Sequence, residues 1–277
     1  MSPPPRAFFL DAGPGRPGRR FCLHHEPARA PALGAVVQVH AFAEEMNKSR
    51  RMSALQARAL ADAGFAVLQV DLLGCGDSSG DFSDATWDDW LADVHQAAAW
   101  LRERTAAPLW LWGVRAGALL ACEAAAGMPE PCNFLFWQPT PSGKLILQQF
   151  LRLKAAATLG DGQAKAVLDQ ARARLAEGHP IEIAGYLLNP RLADGLQRAT
   201  LQPPPRPAIA AWLEVSSRET PSLLPAGQET IRRWREAGHD VRASAVGGPM
   251  FWQTVEIETA PALLDASVSA LTAPTHP

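Results

Sequence analysis

Apolar residues fall in short runs separated by longer amphipathic stretches. Ala35-Val-Val-Gln-Val39, Phe65-Ala-Val-Leu-Gln-Val70, Leu109–Gly113, Cys132-Asn-Phe-Leu-Phe-Trp137, Ala208–Val215 and Val241–Val246 have the length and density of buried strands. Helical spacing fills the intervals. Residues 51–63 place Met52, Leu55, Ala59 and Leu60 on one face, and Thr86–Arg104 repeats Trp87, Trp90, Leu91, Val94, Ala97 and Leu101 behind a Thr86/Asp89 capping box. Further helices are predicted after Gly117, at 226–237, and after Thr259 and Pro261. Residues 7–11 and 20–25, split by Gly13–Gly18, predict an opening antiparallel hairpin, and 41–50 and 71–80 read as loops.

Strand–helix alternation of this kind predicts an α/β fold with a mostly parallel central sheet flanked by helices on both faces. Ligands in such sheets bind beyond the carboxyl ends of the strands, where the loops carrying His40, Gly74–Gly80 and Arg115 fall. The alternation stops from about residue 142. Residues 144–159 and 163–177 look helical, 181–188 could be a strand or hairpin, and 190–199 another helix, before Pro203-Pro204-Pro205 closes the stretch. The expected organisation is therefore a core formed by 1–141 and 203–277, with 142–202 inserted as a helical lid.

The stretch Trp110-Leu-Trp-Gly113-Val-Arg115-Ala-Gly117, followed by an alanine-rich run, is the most informative. A strand, a glycine, two residues, a second glycine and a helix form a nucleophile elbow, whose middle residue in hydrolases is Ser, Cys or Asp. Here it is Arg115, whose guanidinium stays protonated and has no lone pair to attack with. The acid position after 208–215 offers Glu219. The segment Gly247-Gly-Pro-Met-Phe-Trp-Gln253, where a base is expected, contains no histidine; His239 precedes the last strand and His276 is in the tail. Cys75 and His40 are the remaining catalytic candidates, as a thiol nucleophile or beside an activated water.

Two roles for Arg115 stay open. One is an internal ion pair with Glu44, Glu45, Asp71, Asp77 or Glu219; the other is an anion site made by the guanidinium fork and the helix N–H groups. The residues expected around such a ligand are His40, Phe42, Glu44, Glu45, Asp77, Val114, Ala116, Trp137, Gln138, Trp252 and Gln253.

Composition narrows the setting. With 277 residues, 47% hydrophobic and a net charge of −2, the chain can bury a large core and has no basic footprint for nucleic acid. No run of about 18 apolar residues predicts a membrane span. Four cysteines without metal-ligand spacing point to reduced thiols and a cytoplasmic setting, and no metal or cofactor is expected.

Phe8-Phe-Leu-Asp-Ala-Gly, His40–Arg51, Asp71–Asp81, Trp110–Gly117, Trp137-Gln-Pro, Ser142-Gly-Lys, Gln149–Lys154, Ala184-Gly-Tyr and Phe251-Trp-Gln-Thr254 together resemble the α/β-hydrolase fold. Within it they are most similar to the exosortase A system-associated hydrolase 2 group. That resemblance implies a bacterial protein accompanying an exosortase and its exopolysaccharide genes, with a hydrolase label that rests on fold. The expected ligand is an anionic small molecule or a carrier-linked acyl or glycan group. The alternatives are an esterase- or thioesterase-like enzyme using Cys75 or water near His40, and a scaffold that recruits a partner of that system through the lid.

Overall fold

The computed structural model describes residues 1–156 and 164–274. The opening hairpin is β1 (Arg6–Asp11) and β2 (Arg19–His25), followed by β3 (Gly34–Val39), α1 (Glu44–Asp62) and β4 (Phe65–Val70). Next come α2 (Trp87–Arg102), β5 (Leu109–Val114), α3 (Gly117–Ala126) and β6 (Asn133–Trp137). The insertion holds α4 (Gly143–Ala156), α5 (Ala164–Ala176), a hairpin of β7 (Ile181–Ile183) and β8 (Tyr186–Leu188), and α6 (Pro190–Arg198). The core resumes with β9 (Ile209–Ser216), α7 (Pro225–Glu236), β10 (Asp240–Gly247) and α8 (Pro261–Thr272).

The main sheet runs β1-β2-β4-β3-β5-β6-β9-β10. β1 and β2 pair antiparallel, as do β2 and β4, while the strands from β4 to β10 pair parallel. Every residue of β3 and β5 is buried, because helices cover both faces. On one face Trp112, Trp137 and Leu213 pack with Met52 of α1 and Leu263 of α8; on the other Leu111 and Phe136 pack with Leu101 of α2, Leu119 of α3 and Trp234 of α7. This is the α/β-hydrolase architecture, with α4–α6 inserted between β6 and β9. The predicted helices over 144–159 and 163–177 correspond to α4 and α5 where they are described; residues 157–163 lie outside the described chain, as does His276.

The first helix departs most from expectation. It begins at Glu44 rather than near residue 51, so of the predicted 41–50 loop only residues 41–43 remain as its approach and 44–50 form its first two turns. The polar run Glu44-Glu-Met-Asn-Lys-Ser-Arg50 hides the helical period, and a left-handed Ala43 (φ 49°) starts the helix. Glu44 and Glu45 therefore occupy its first turn, where carboxylates complement the helix dipole.

A buried carboxylate pins the other side of the strand ends. Asp93 of α2 accepts from Arg20 Nε (2.8 Å), Arg16 Nη2 (2.6 Å) and the Leu73 amide (2.8 Å), joining the N-terminal hairpin to the loop after β4.

Candidate functional site

The elbow adopts its strained form. Arg115 sits at φ 55° between β5 and α3, and its amide donates to the Trp137 carbonyl of β6 at 2.9 Å. A non-glycine residue in that region costs energy and persists only where its surroundings enforce it. Two glycines make room for the turn: a Cβ on Gly113 would strike the Ala118 backbone, and one on Gly117 would strike the Val39 and His40 carbonyl oxygens.

The Arg115 side chain is paired. Its Nε lies 3.2 Å from both Glu45 carboxylate oxygens, and Nη2 donates to Glu45 Oε1 at 3.1 Å and Gln149 Oε1 at 3.2 Å. The two charged side chains are only 9% and 13% exposed, so the ion pair is largely withdrawn from water. The guanidinium carbon lies 5.5 Å from the Trp252 ring centroid, within cation–π range. A cation is unfavourable at the N-terminus of α3, while an anion is favourable at the N-terminus of α1. Placing the Glu45–Arg115 pair where those two termini meet satisfies both.

Above this pair a cleft of about 280 Å³ runs between α1, α4 and the loop after β10. Phe42, Ile146, Phe150, Leu153 and Trp252 supply its apolar walls, and Glu44, Glu45, Lys48, Gln149 and Gln253 its polar groups. Burial raises the Glu44 pKa, the neighbouring Glu45 adds to the effect, and Glu44 Oε2 has no partner among the described residues. Phe42, Glu44, Glu45, Trp252 and Gln253 were legible as candidates. Lys48 and the α4 residues were not, although Ile146, Gln149, Phe150 and Leu153 recur at i, i+3, i+4 and i+7, a stripe visible in the sequence.

Several expected site residues lie elsewhere. Trp137 is fully buried beneath α8, with Nε1 donating to Ser267 Oγ at 2.8 Å, so it is core and not cleft wall. Gln138 (φ 44°) accepts the Val215 amide at 2.8 Å and ties β6 to β9. Asp77 is exposed, its amide bound to Asp71 Oδ2 at 3.1 Å. Val114 and Ala116 are buried flanks of the elbow. Glu219 is exposed on the loop after β9. The buried carboxylate there is Glu214, which accepts from Trp212 Nε1 (2.9 Å) and the Leu224 amide (2.6 Å) at the start of α7.

The alternative nucleophile and base are also committed. His40 Nδ1–H donates to the Ala41 carbonyl at 2.8 Å, and Nε2 accepts the Leu72 amide at 3.3 Å. With both nitrogens engaged and burial lowering its pKa, His40 is a neutral structural residue. Cys75 is buried, and desolvation, reinforced by Asp71, pushes its thiol pKa far above the usual range. Such a thiol supplies no thiolate near neutral pH. No cluster of potential metal ligands occurs among the described residues, and none of their helices is long and apolar enough to cross a membrane.

Solved structures share this fold. The chain superposes on Est1E from Butyrivibrio proteoclasticus, solved with ferulic acid, at a TM-score of 0.60 and 14% identity, covering 95% of this chain and 97% of that one. It is similar to a thermostable carboxyl esterase from Bacillus coagulans (TM-score 0.60, 16% identity, 88% and 90% covered). It is similar too to a monoglyceride lipase from Saccharomyces cerevisiae (0.61, 14%, 98% and 96%). At these identities the shared property is the α/β-hydrolase fold. A family model described as "Serine aminopeptidase, S33" matches residues 30–155, a stretch that runs from before β3 through the elbow into α4. No curated protein matches the sequence.

Proposed function

We propose that this protein is a binding member of the α/β-hydrolase fold that holds a small amphipathic molecule in the Arg115 cleft without forming an acyl-enzyme. The carrying observation is the bidentate Glu45 carboxylate locked onto a guanidinium at the nucleophile position. A charge-assisted fork of this kind has no electron pair to attack a carbonyl, and residues 247–253 offer no imidazole to assist another group. The apolar walls suit a short hydrocarbon or aromatic body; Lys48 donates to the Gln253 carbonyl at 3.5 Å and lies in the field of Glu44, which leaves Glu44, Gln149 and the Gln253 side chain to suit a neutral hydrogen-bonding head.

An anion at Arg115 must first displace Glu45, so the sequence-based expectation of an anionic ligand gives way to a neutral head. The link to an exosortase and exopolysaccharide system rests on the sequence resemblance, and co-purification with products of that system tests it. Calorimetric titration with 1-hexanol and hexanoate separates the ligand classes. The alcohol is expected to bind at least about tenfold more tightly to the native protein, and Glu45→Gln, which frees the fork, to reverse that order. Saturable hydrolysis of p-nitrophenyl butyrate by the native protein overturns the proposal.

A further inference from the structure

A different stripe of α1 covers a second cavity, of about 160 Å³, between the helix and the ends of β2, β3 and β4. Phe21, Leu23, Met46 and Ala54 give it apolar walls, and Gln38, Gln69, Ser49, Ser53 and Asp71 set a polar group among them, where strands of a sheet covered on both faces normally read apolar. Gln38 and Gln69 are register partners on β3 and β4. They form a relay: His25 Nε2 bonds Gln69 Oε1 (3.1 Å), Gln69 Nε2 donates to Gln38 Oε1 (3.2 Å), and Gln38 Nε2 donates to Ser53 Oγ (3.0 Å). Each amide nitrogen carries two hydrogens, so the relay leaves one on each glutamine unspent.

Ser49 adds an independent sign. It lines the same cavity and is 2% exposed, yet its Oγ has no partner among the described residues. A helical serine ordinarily turns to the carbonyl four residues back, and an unpaired buried hydroxyl is costly. Asp71, 8% exposed, holds Arg50 Nη2 at 3.2 Å from each oxygen and accepts the Asp77 amide at 3.1 Å, which leaves lone pairs over. Gly76 closes tightly over this ion pair: a Cβ there would strike Asp71 Oδ2 and Arg50 Nη2. The walls are thus neutral in sum, with Asp71 balanced by Arg50 and His40 uncharged.

The geometry points to a binding site for a small neutral polyol, its vicinal hydroxyls bridging Asp71, Ser49 and the Gln38–Gln69 amides. Hydroxyls both donate and accept, which matches the mixed valences left open, whereas an ion would meet no net counter-charge. The volume fits: at about 30 Å³ per water the cavity holds roughly five waters, or one molecule the size of glycerol. The site lies apart from the Arg115 cleft, and its occupancy does not depend on what that cleft binds.

Saturation-transfer difference NMR on the full chain tests the site, with glycerol as the probe and 1-propanol as the same carbon skeleton lacking the diol. Glycerol is expected to give a saturable signal that 1-hexanol fails to displace, and 1-propanol at the same concentration to give a tenth of that signal or less. Ser49→Val, which fills space and removes the hydroxyl, is expected to reduce the glycerol signal at least tenfold; Ser49→Ala, which removes the hydroxyl alone, takes its place if that variant does not fold. Three results overturn the proposal: no glycerol signal, meaning that the cavity holds water only; equal signals from glycerol and 1-propanol; or a glycerol signal unchanged in the folded variants.

Discussion

The elbow after β5 and the loop after β10 stand at the same end of the sheet, and they diverge in an instructive way. The elbow retains the backbone geometry of a nucleophile turn, with Arg115 at φ 55° and glycines on either side that tolerate no side chain. The β10 loop has become packing: Phe251 and Trp252 are buried, and Phe251 meets Trp137 edge-on at 6.0 Å. The turn's shape is set by close backbone approaches, which its side-chain chemistry does not alter. The loop lacks backbone contacts of that kind: a Cβ on Gly248 would press on the Ala260 side chain and one on Gly247 meets nothing nearer than 3.7 Å, so Phe251 follows the core while Trp252 and Gln253 face the cleft. Frame and chemistry are separable in this fold, and here they have separated.

The sharpest test of that contrast acts on the elbow's charge. Glu45→Gln leaves a buried guanidinium without its counter-ion and is expected to cost about 3–5 kcal/mol, as for other broken buried pairs. In a urea-denaturation cycle, the double variant Glu45→Gln/Arg115→Met should recover most of that loss. A purely additive result would mean that the pair is not coupled as its geometry indicates.

A direct comparison of the two regions comes next. Gly117→Ala, driven into the Val39 and His40 carbonyls, should cost about 3 kcal/mol. Gly247→Ala at the end of β10 has its nearest neighbour at 3.7 Å and should stay within about 0.5 kcal/mol. Similar denaturation midpoints for the two variants would dissolve the distinction between the steric frame of the elbow and the open end of β10.

Protonation gives a smaller, graded effect. His24, His25, His40 and His239 are all held below their ordinary 6.5 by burial. The unfolded chain therefore takes up these protons first. Stability is full above about pH 6.5 and falls as pH drops below it, by up to about 1.4 kcal/mol per pH unit for each proton. Glu44 runs the opposite way from its ordinary 4.5 upward, because burial raises it. His40→Gln should flatten the slope below pH 6.5, read from thermal melts across a pH series. The smallest expected effect is at Cys75: Cys75→Ser should leave turnover of p-nitrophenyl butyrate at the buffer rate, as in the parent.

Much of the architecture was legible because it rests on apolar periodicity. The buried strands, the Thr86–Asp89 capping box and the elbow between Gly113 and Gly117 all announce themselves in residue pattern. The site was legible in part. Arg115 was visible as a substitution of type, but its partner among five carboxylates was not, because Glu45 stood in a stretch that reads as loop. Local spacing cannot say which acid a long guanidinium reaches across 70 residues. Trp137 and Gln138 were misplaced for a related reason. A strand residue points to alternate faces, and only the sheet's pairing decides whether an aromatic at its end meets a ligand or a helix.

The Asp93 junction carries one more consequence. A single carboxylate receives two guanidinium groups from the chain's first twenty residues and the amide of Leu73 from a distant segment. Peeling β1 and β2 from the sheet would strand that charge in apolar surroundings, while the turn at 72–80 would lose its anchor in the same event. The two segments therefore open as one cooperative unit, and amide exchange in them should share a single protection factor although some fifty residues of sequence divide them.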